Sequence, residues 1–223
     1  IGRRQAQPLA RGEDCLAGAG AELAIDPAGI GSEISQRRLH LPLLLAASAN
    51  SPYWHGEETG FASYRQCILA ASQNYGLPPY FADWEAFGDF LRMSARAQIF
   101  SGVKDIHWDI RPHPDFGTLE LRVMDAASSV GDAVTLAAFV RSLMVHLAGE
   151  TDSDRDDRLL PRLPRWIEHT NRYRAAHHGL DAHYICDTDG HLQPLRLLLA
   201  DACRLVASTA VSIGESEGLE RFR

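Results

Sequence analysis

Lysine is almost absent from this 223-residue chain: of its 22 basic residues only Lys104 is a lysine, and the rest are arginine. With 29 acidic residues and a formal net charge of −7, no surplus of positive charge is available to build a nucleic-acid face, so nucleic acid is excluded as a partner. Cysteine is scarce as well. Cys15, Cys67, Cys186 and Cys203 are widely separated, with no Cys-x-x-Cys and no Cys/His spacing suited to zinc. That leaves neither a disulfide scaffold nor a zinc module and points to free thiols in a reducing compartment. No uninterrupted apolar run reaches the length of a bilayer span, and the Arg-containing start lacks the apolar stretch of a secretory signal. The expectation is a cytoplasmic protein without a membrane partner.

What is present is an ordinary globular composition, 45% hydrophobic and 23% charged, enough to bury a sizeable core in one domain. Residues 1–38 are rich in Gly, Ala and Arg without a sustained period and read as a poorly organised or incomplete segment; residues 39–223 read as the folded domain. Within it, the apolar run from His40 to Ala49 predicts a buried helix that stops at Asn50-Ser51-Pro52. Glu57 to Gly60 read as a polar loop leading to Ser63 and Arg65. Asp83 to Phe100 shows Trp84, Phe87, Leu91, Ala95 and Ile99 at helical spacing, an amphipathic helix expected to cover a sheet. Ser129-x-x-Asp132 resembles a capping box ahead of a helix through Leu147. Thr151 to Arg158 read as a charged linker, and Pro164 to His178 as a further helix closed by Gly179.

The most informative stretch is Lys104 to Asp125, KDIHWDIRPHPDFGTLELRVMD. Side chains alternate across an extended strand, so His107, Asp109 and Arg111 share one face and Ile106, Trp108 and Ile110 the other. The second run repeats this, with Thr118, Glu120 and Arg122 opposite Leu119, Leu121 and Val123. Two prolines and a glycine between the runs suit a hairpin loop of several residues. A strand carboxylate is an oxygen ligand for a hard cation, and an arginine two residues along offers a planar fork for phosphate or carboxylate oxygens. The same pattern also fits a solvated sheet face carrying interspersed charges.

WDIRPHPDFGTLELRVMD resembles the signature of the glutamate–cysteine ligase type 2 family, ATP-dependent carboxylate–amine ligases whose catalytic sheet is similar to that of glutamine synthetase. Two further segments extend the resemblance: SANSP followed by GEETG and Ser-Tyr-Arg upstream, and NRYRAAHHGLDA downstream, so that it runs from about Leu39 to Ala210. The family's longer N-terminal portion with its acidic motif finds no match here, and the chain is expected to lack that part. The resemblance implies an α+β fold, an antiparallel sheet of glutamine-synthetase-like catalytic type with helices packed on one face, and a partial ligase domain over 39–223. It implies ATP and Mg2+ as cofactors, glutamate and cysteine or another amine as substrates, a γ-glutamyl phosphate on the path, and a role in glutathione biosynthesis. Carried onto this chain, Glu120 is the expected metal ligand and Arg111 and Arg122 the catalytic cations. Arg65, Asp109, His113, Asn171 and Arg174 are the expected substrate or nucleotide contacts. A member of the same fold that binds nucleotide or a partner without turnover is the alternative, and a homo-oligomer is left open.

Overall fold

The computed structural model describes residues 22–24, 37–72, 74–113, 116–149, 160 and 162–222. Its architecture is α+β, with small sheets set among helices. After strand β1 (Glu22–Ala24) come a 3-10 turn and helix α1 (Leu41–Ser48), the short hairpin β2 (Tyr53–Trp54) and β3 (Glu57–Glu58), helix α2 (Arg65–Ala70), strand β4 (Tyr75–Gly76) and helix α3 (Trp84–Arg96). Strands β5 (His107–Trp108), β6 (Ile110–His113) and β7 (Thr118–Leu121) follow, then helices α4 (Val130–Gly149) and α5 (Arg165–His178). The chain closes with hairpin β8 (His183–Ile185) and β9 (Leu192–Pro194) and helices α6 (Leu195–Leu205), α7 (Ala207–Ser212) and α8 (Ser216–Phe222).

The expected hairpin is β6 and β7, paired antiparallel with Arg111 opposite Glu120 and His113 opposite Thr118. Strand β1 adds to the outer edge of β7, with Glu22 in register with Glu120, an element that the sequence pattern of the first 38 residues did not show. Directly opposed residues project to one face, so this three-stranded sheet is two-sided. Ile110, Leu119 and Leu121 fill its inner face and join Val123, α1, α4, α5 and α6 in the main core. Arg111, His113, Thr118 and Glu120 share the other.

Helix α1 is apolar all round and accordingly buried all round, from Leu41 to Ala46. The Asp83 carboxylate caps α3 by accepting the Ala86 N–H at 2.8 Å. That helix does not cover the three-stranded sheet, as its periodicity led one to expect. It packs on a separate aromatic cluster of Phe81, Phe87, Phe100, Ile106 and Trp108, because β5 leaves the sheet to pair in parallel with β4. The Ser129 hydroxyl caps α4, accepting the Asp132 N–H at 3.1 Å and donating to its carboxylate at 2.9 Å. Glu57 and Glu58, read as loop, form the second strand of a hairpin turned by His55 and Gly56 at positive φ. By length and composition α4 is apolar enough to cross a membrane, contrary to the sequence reading, but Ala138 to Val140, Leu143, Met144 and Leu147 are spent on the core. The expected linker at 151–158 lies outside the described residues.

Candidate active site

Strand register puts Arg111 and Glu120 side by side, and their side chains meet. Arg111 Nε and Nη2 both donate to Glu120 Oε2, at 2.9 and 2.5 Å, while Arg122 Nη1 donates to Glu120 Oε1 at 2.6 Å. Two guanidinium groups thus share one carboxylate, which takes up only part of their donor capacity and leaves N–H groups for oxygen acceptors. Exposure is graded. Arg111 is the most enclosed at 11%, its Nη1 donating to the carbonyls of Val103, Lys104 and Ile106. Arg122, at 28%, makes no other side-chain hydrogen bond among the described residues and keeps most of its donors for a ligand. Arg111 is thus an anchor holding Glu120, with a single Nη2 hydrogen uncommitted.

Two more polar atoms face the same way. His113 Nδ1 and Thr118 Oγ1, cross-strand neighbours, are buried without a hydrogen-bond partner among the described residues, and the His113 ring stacks on Phe116 at 4.5 Å. Buried polar atoms normally find partners, which makes this pair an exception among the described residues. The donor set also admits a hard cation. Glu120 Oε2 receives two N–H groups, but Oε1 receives one, which leaves a lone pair for an ion held otherwise by phosphate oxygens and water.

Arg65 reaches this region from the start of α2. Its Nη2 donates to the Arg122 carbonyl at 3.2 Å and its Nη1 lies 3.8 Å from the Asp125 carboxylate. Asp125, 4% exposed, gathers the distant motifs: it accepts the Ser51 hydroxyl at 2.7 Å, the Asn50 N–H at 2.9 Å and the Ser63 hydroxyl at 2.9 Å. Ser63 is held there by α5, whose last carbonyls at Ala176 and His177 accept the N–H groups of Ser63 and Ala62. The close approach depends on Gly179, at φ 56°, where an added Cβ would lie 3.3 Å from Ala62 Cβ.

Three expected contacts sit elsewhere. Asp109, fully buried, does not reach the charged face: the strand breaks at this residue, and its carboxylate takes a two-point pair from Arg172, Nε to Oδ2 at 2.5 Å and Nη2 to Oδ1 at 2.9 Å. Burial alone would lower the Arg172 pKa, but the hydrogen bonds and charge of Asp109 outweigh it and raise it. Asn171, 1% exposed, is a clamp on β8, donating to the Ile185 carbonyl at 3.0 Å and accepting its N–H at 2.8 Å. Arg174 points away, donating to the His183 carbonyl beside an open concavity shared with His178 and Asp181. Sequence reasoning missed Arg172 and Asp125. The first lies on the stripe of Ile167, Glu168, Asn171, Ala175 and Ala176 that α5 buries, a signal that helical spacing contains. Burial pushes the Cys67 and Cys186 thiols up, which favours their neutral form.

The sequence model of glutamate-cysteine ligase family 2 matches residues 16–223. A protein named "Putative glutamate--cysteine ligase 2" from Trichormus variabilis is 44% identical over 180 residues, 81% of this chain and 46% of the relative. Proteins of the same name from Thermobifida fusca and Bdellovibrio bacteriovorus are 38% and 34% identical, over 81% and 82% of this chain and 45% and 48% of theirs. The chain spans about half the length of these curated relatives.

Proposed function

The chain belongs to glutamate-cysteine ligase family 2, and from that premise we propose that it carries the charged face of an ATP-dependent ligase joining glutamate to cysteine. On this reading the sheet with its helices on one side is of the glutamine-synthetase-like catalytic type. A free carboxylate is a poor electrophile. Its oxygen therefore attacks the γ-phosphorus of ATP, the bond to the β-phosphate oxygen breaks, and ADP leaves. The amine nitrogen of cysteine then attacks the acyl carbon, the carbon–oxygen bond to phosphate breaks, and the nitrogen gives up its proton.

This chemistry needs cations aimed at the oxygens where charge collects. Arg122 supplies them from a half-exposed position with donors to spare, and Arg111 holds Glu120 in place from behind. Glu120 would hold Mg2+, which screens the phosphate charge when bound. Arg65 borders the same region, and His113, on the same sheet face as Glu120, is a further contact for the nucleotide or substrate. The observation that carries the reading is the Arg111–Glu120–Arg122 cluster on a single face of the sheet, in which Arg122 keeps donors uncommitted among the described residues. Cys67 and Cys186 are free thiols, in keeping with the proposed cytoplasmic residence. ADP release measured with Mg-ATP, glutamate and cysteine tests the proposal: release that requires glutamate and is completed by cysteine is expected. Release with glutamate and a different amine would reassign the acceptor, and nucleotide binding without ADP would overturn catalysis.

A further inference from the structure

Behind the charged face, a closed ring of hydrogen bonds runs through Val123, the residue that follows Arg122. The Asp109 carbonyl accepts the N–H of Arg122 at 2.7 Å and that of Val123 at 3.2 Å, so two residues at the end of β7 oppose one on the partner strand. Such a bulge re-aims the side chain it carries. On the other side of this residue, the Val123 carbonyl accepts from Gln66 Nε2 at 2.5 Å. Arg172 joins the two ends: it grips the Asp109 carboxylate in two places and gives Nη2 to Gln66 Oε1 at 2.5 Å, where the Tyr75 hydroxyl also donates. Asp109 is tied to β4 as well, through its N–H and the Gly76 carbonyl at 2.8 Å.

We infer that Arg172 is a positioning residue for the Arg122 side chain, acting through the Asp109 bulge and Gln66 and never touching substrate. A pair as enclosed as this one contributes little net stability over an apolar filling of the same space, since desolvation offsets the attraction. What it does supply is direction. A planar fork binds two acceptors in one fixed geometry, which an ammonium group cannot copy. Ile167, Ala175 and Ala176 on the same stripe show that apolar packing would have served α5. The kinetic half of this inference rests on the ligase reading; the geometric half stands without it.

The test is Arg172→Lys in the full chain, which keeps the charge beside Asp109 and loses the fork. Hydrogen exchange is read first: the Arg122 and Val123 amides should exchange about tenfold faster while amides in α1 and α4 keep their rates. Unchanged rates at 122 and 123, or an equal rise everywhere, would overturn the inference. Turnover is read second, in a cycle with Arg122→Lys. If Arg172 works through Arg122, Arg172→Lys alone lowers kcat about tenfold to a hundredfold, and adding it to Arg122→Lys costs nothing further. Losses that multiply would assign Arg172 a structural role only. A wild-type chain without ADP release would remove the ligase reading, and the exchange result would still decide the positioning claim.

Discussion

Glu120→Gln isolates the charge at the centre of the proposed site, because the side chain keeps its shape and loses its negative charge. In the native chain Glu120 receives three guanidinium hydrogen bonds, between 2.5 and 2.9 Å. An amide retains one acceptor oxygen and turns an NH2 toward a cation, leaving Arg111 and Arg122 facing each other without the anion between them. Breaking a fully buried pair costs about 3–5 kcal/mol, and an exposed pair about 0.2–1 kcal/mol. Side-chain exposures of 11% for Arg111, 23% for Glu120 and 28% for Arg122 set this cluster between those limits, at about 2 kcal/mol of folding stability. For a domain of this size that is a fall in Tm of about 4–8 °C. Turnover, which depends on oriented cations, should drop by about a hundredfold to a thousandfold. Circular dichroism melting and ADP release with glutamate and cysteine read the two effects separately. A variant with wild-type Tm and turnover within twofold of the parent would refute the reasoning, since the cluster would then be neither held together by Glu120 nor used.

Asn171→Ala should lower stability by about 2–4 kcal/mol, because both backbone groups of Ile185 lose their partner in the interior. Arg174→Ala should stay within about 0.5 kcal/mol; urea midpoints of equal size for the two variants would contradict their different placements. At high pH, Tyr75 and Tyr80 should weaken the fold. Burial, then the nearby Asp109 charge for Tyr75 and the hydrogen bond to Glu168 for Tyr80, push both up to about 12. An unfolded tyrosine ionises near 10, so their contribution is complete below about pH 10 and is lost as pH rises toward 12. Tyr75→Phe with Tyr80→Phe should flatten that fall in a series of urea melts, and an unaltered slope would dismiss the assignment. Gly218→Ala should cost about 1–3 kcal/mol, as the new methyl would overlap Ala138 Cβ where α8 crosses α4. Thermal melting decides it, an unchanged Tm showing that the crossing yields freely.

Alternation and helical spacing, which are properties of neighbouring residues, fixed much of what was legible: α1, α3, α4 and α5, the β6–β7 hairpin, and Arg111 and Glu120 on a common face. The period of a strand is two whatever surrounds it, and the hairpin loop between Arg111 and Thr118 leaves few ways to pair. What spacing could not reveal is which helix face meets which strand. Arg172 pairs with Asp109 63 residues away and Asp125 draws Ser51 and Ser63 from 74 and 62 residues away, so both were hidden until α5 and the α1–α2 connection were seen packed around the sheet. Asn171 and Arg174, expected by motif as contacts, are placed by the same packing, one inward against β8 and one outward beside His183. Strand β1 and the break at Asp109 likewise depend on partners far along the chain. The amino-acid order by itself determined the two-sided ribbon and its charges. Tertiary structure alone decided which of those charges stay open to a ligand, because only packing settles which carboxylates and guanidinium groups satisfy one another in the interior and which are left at the surface.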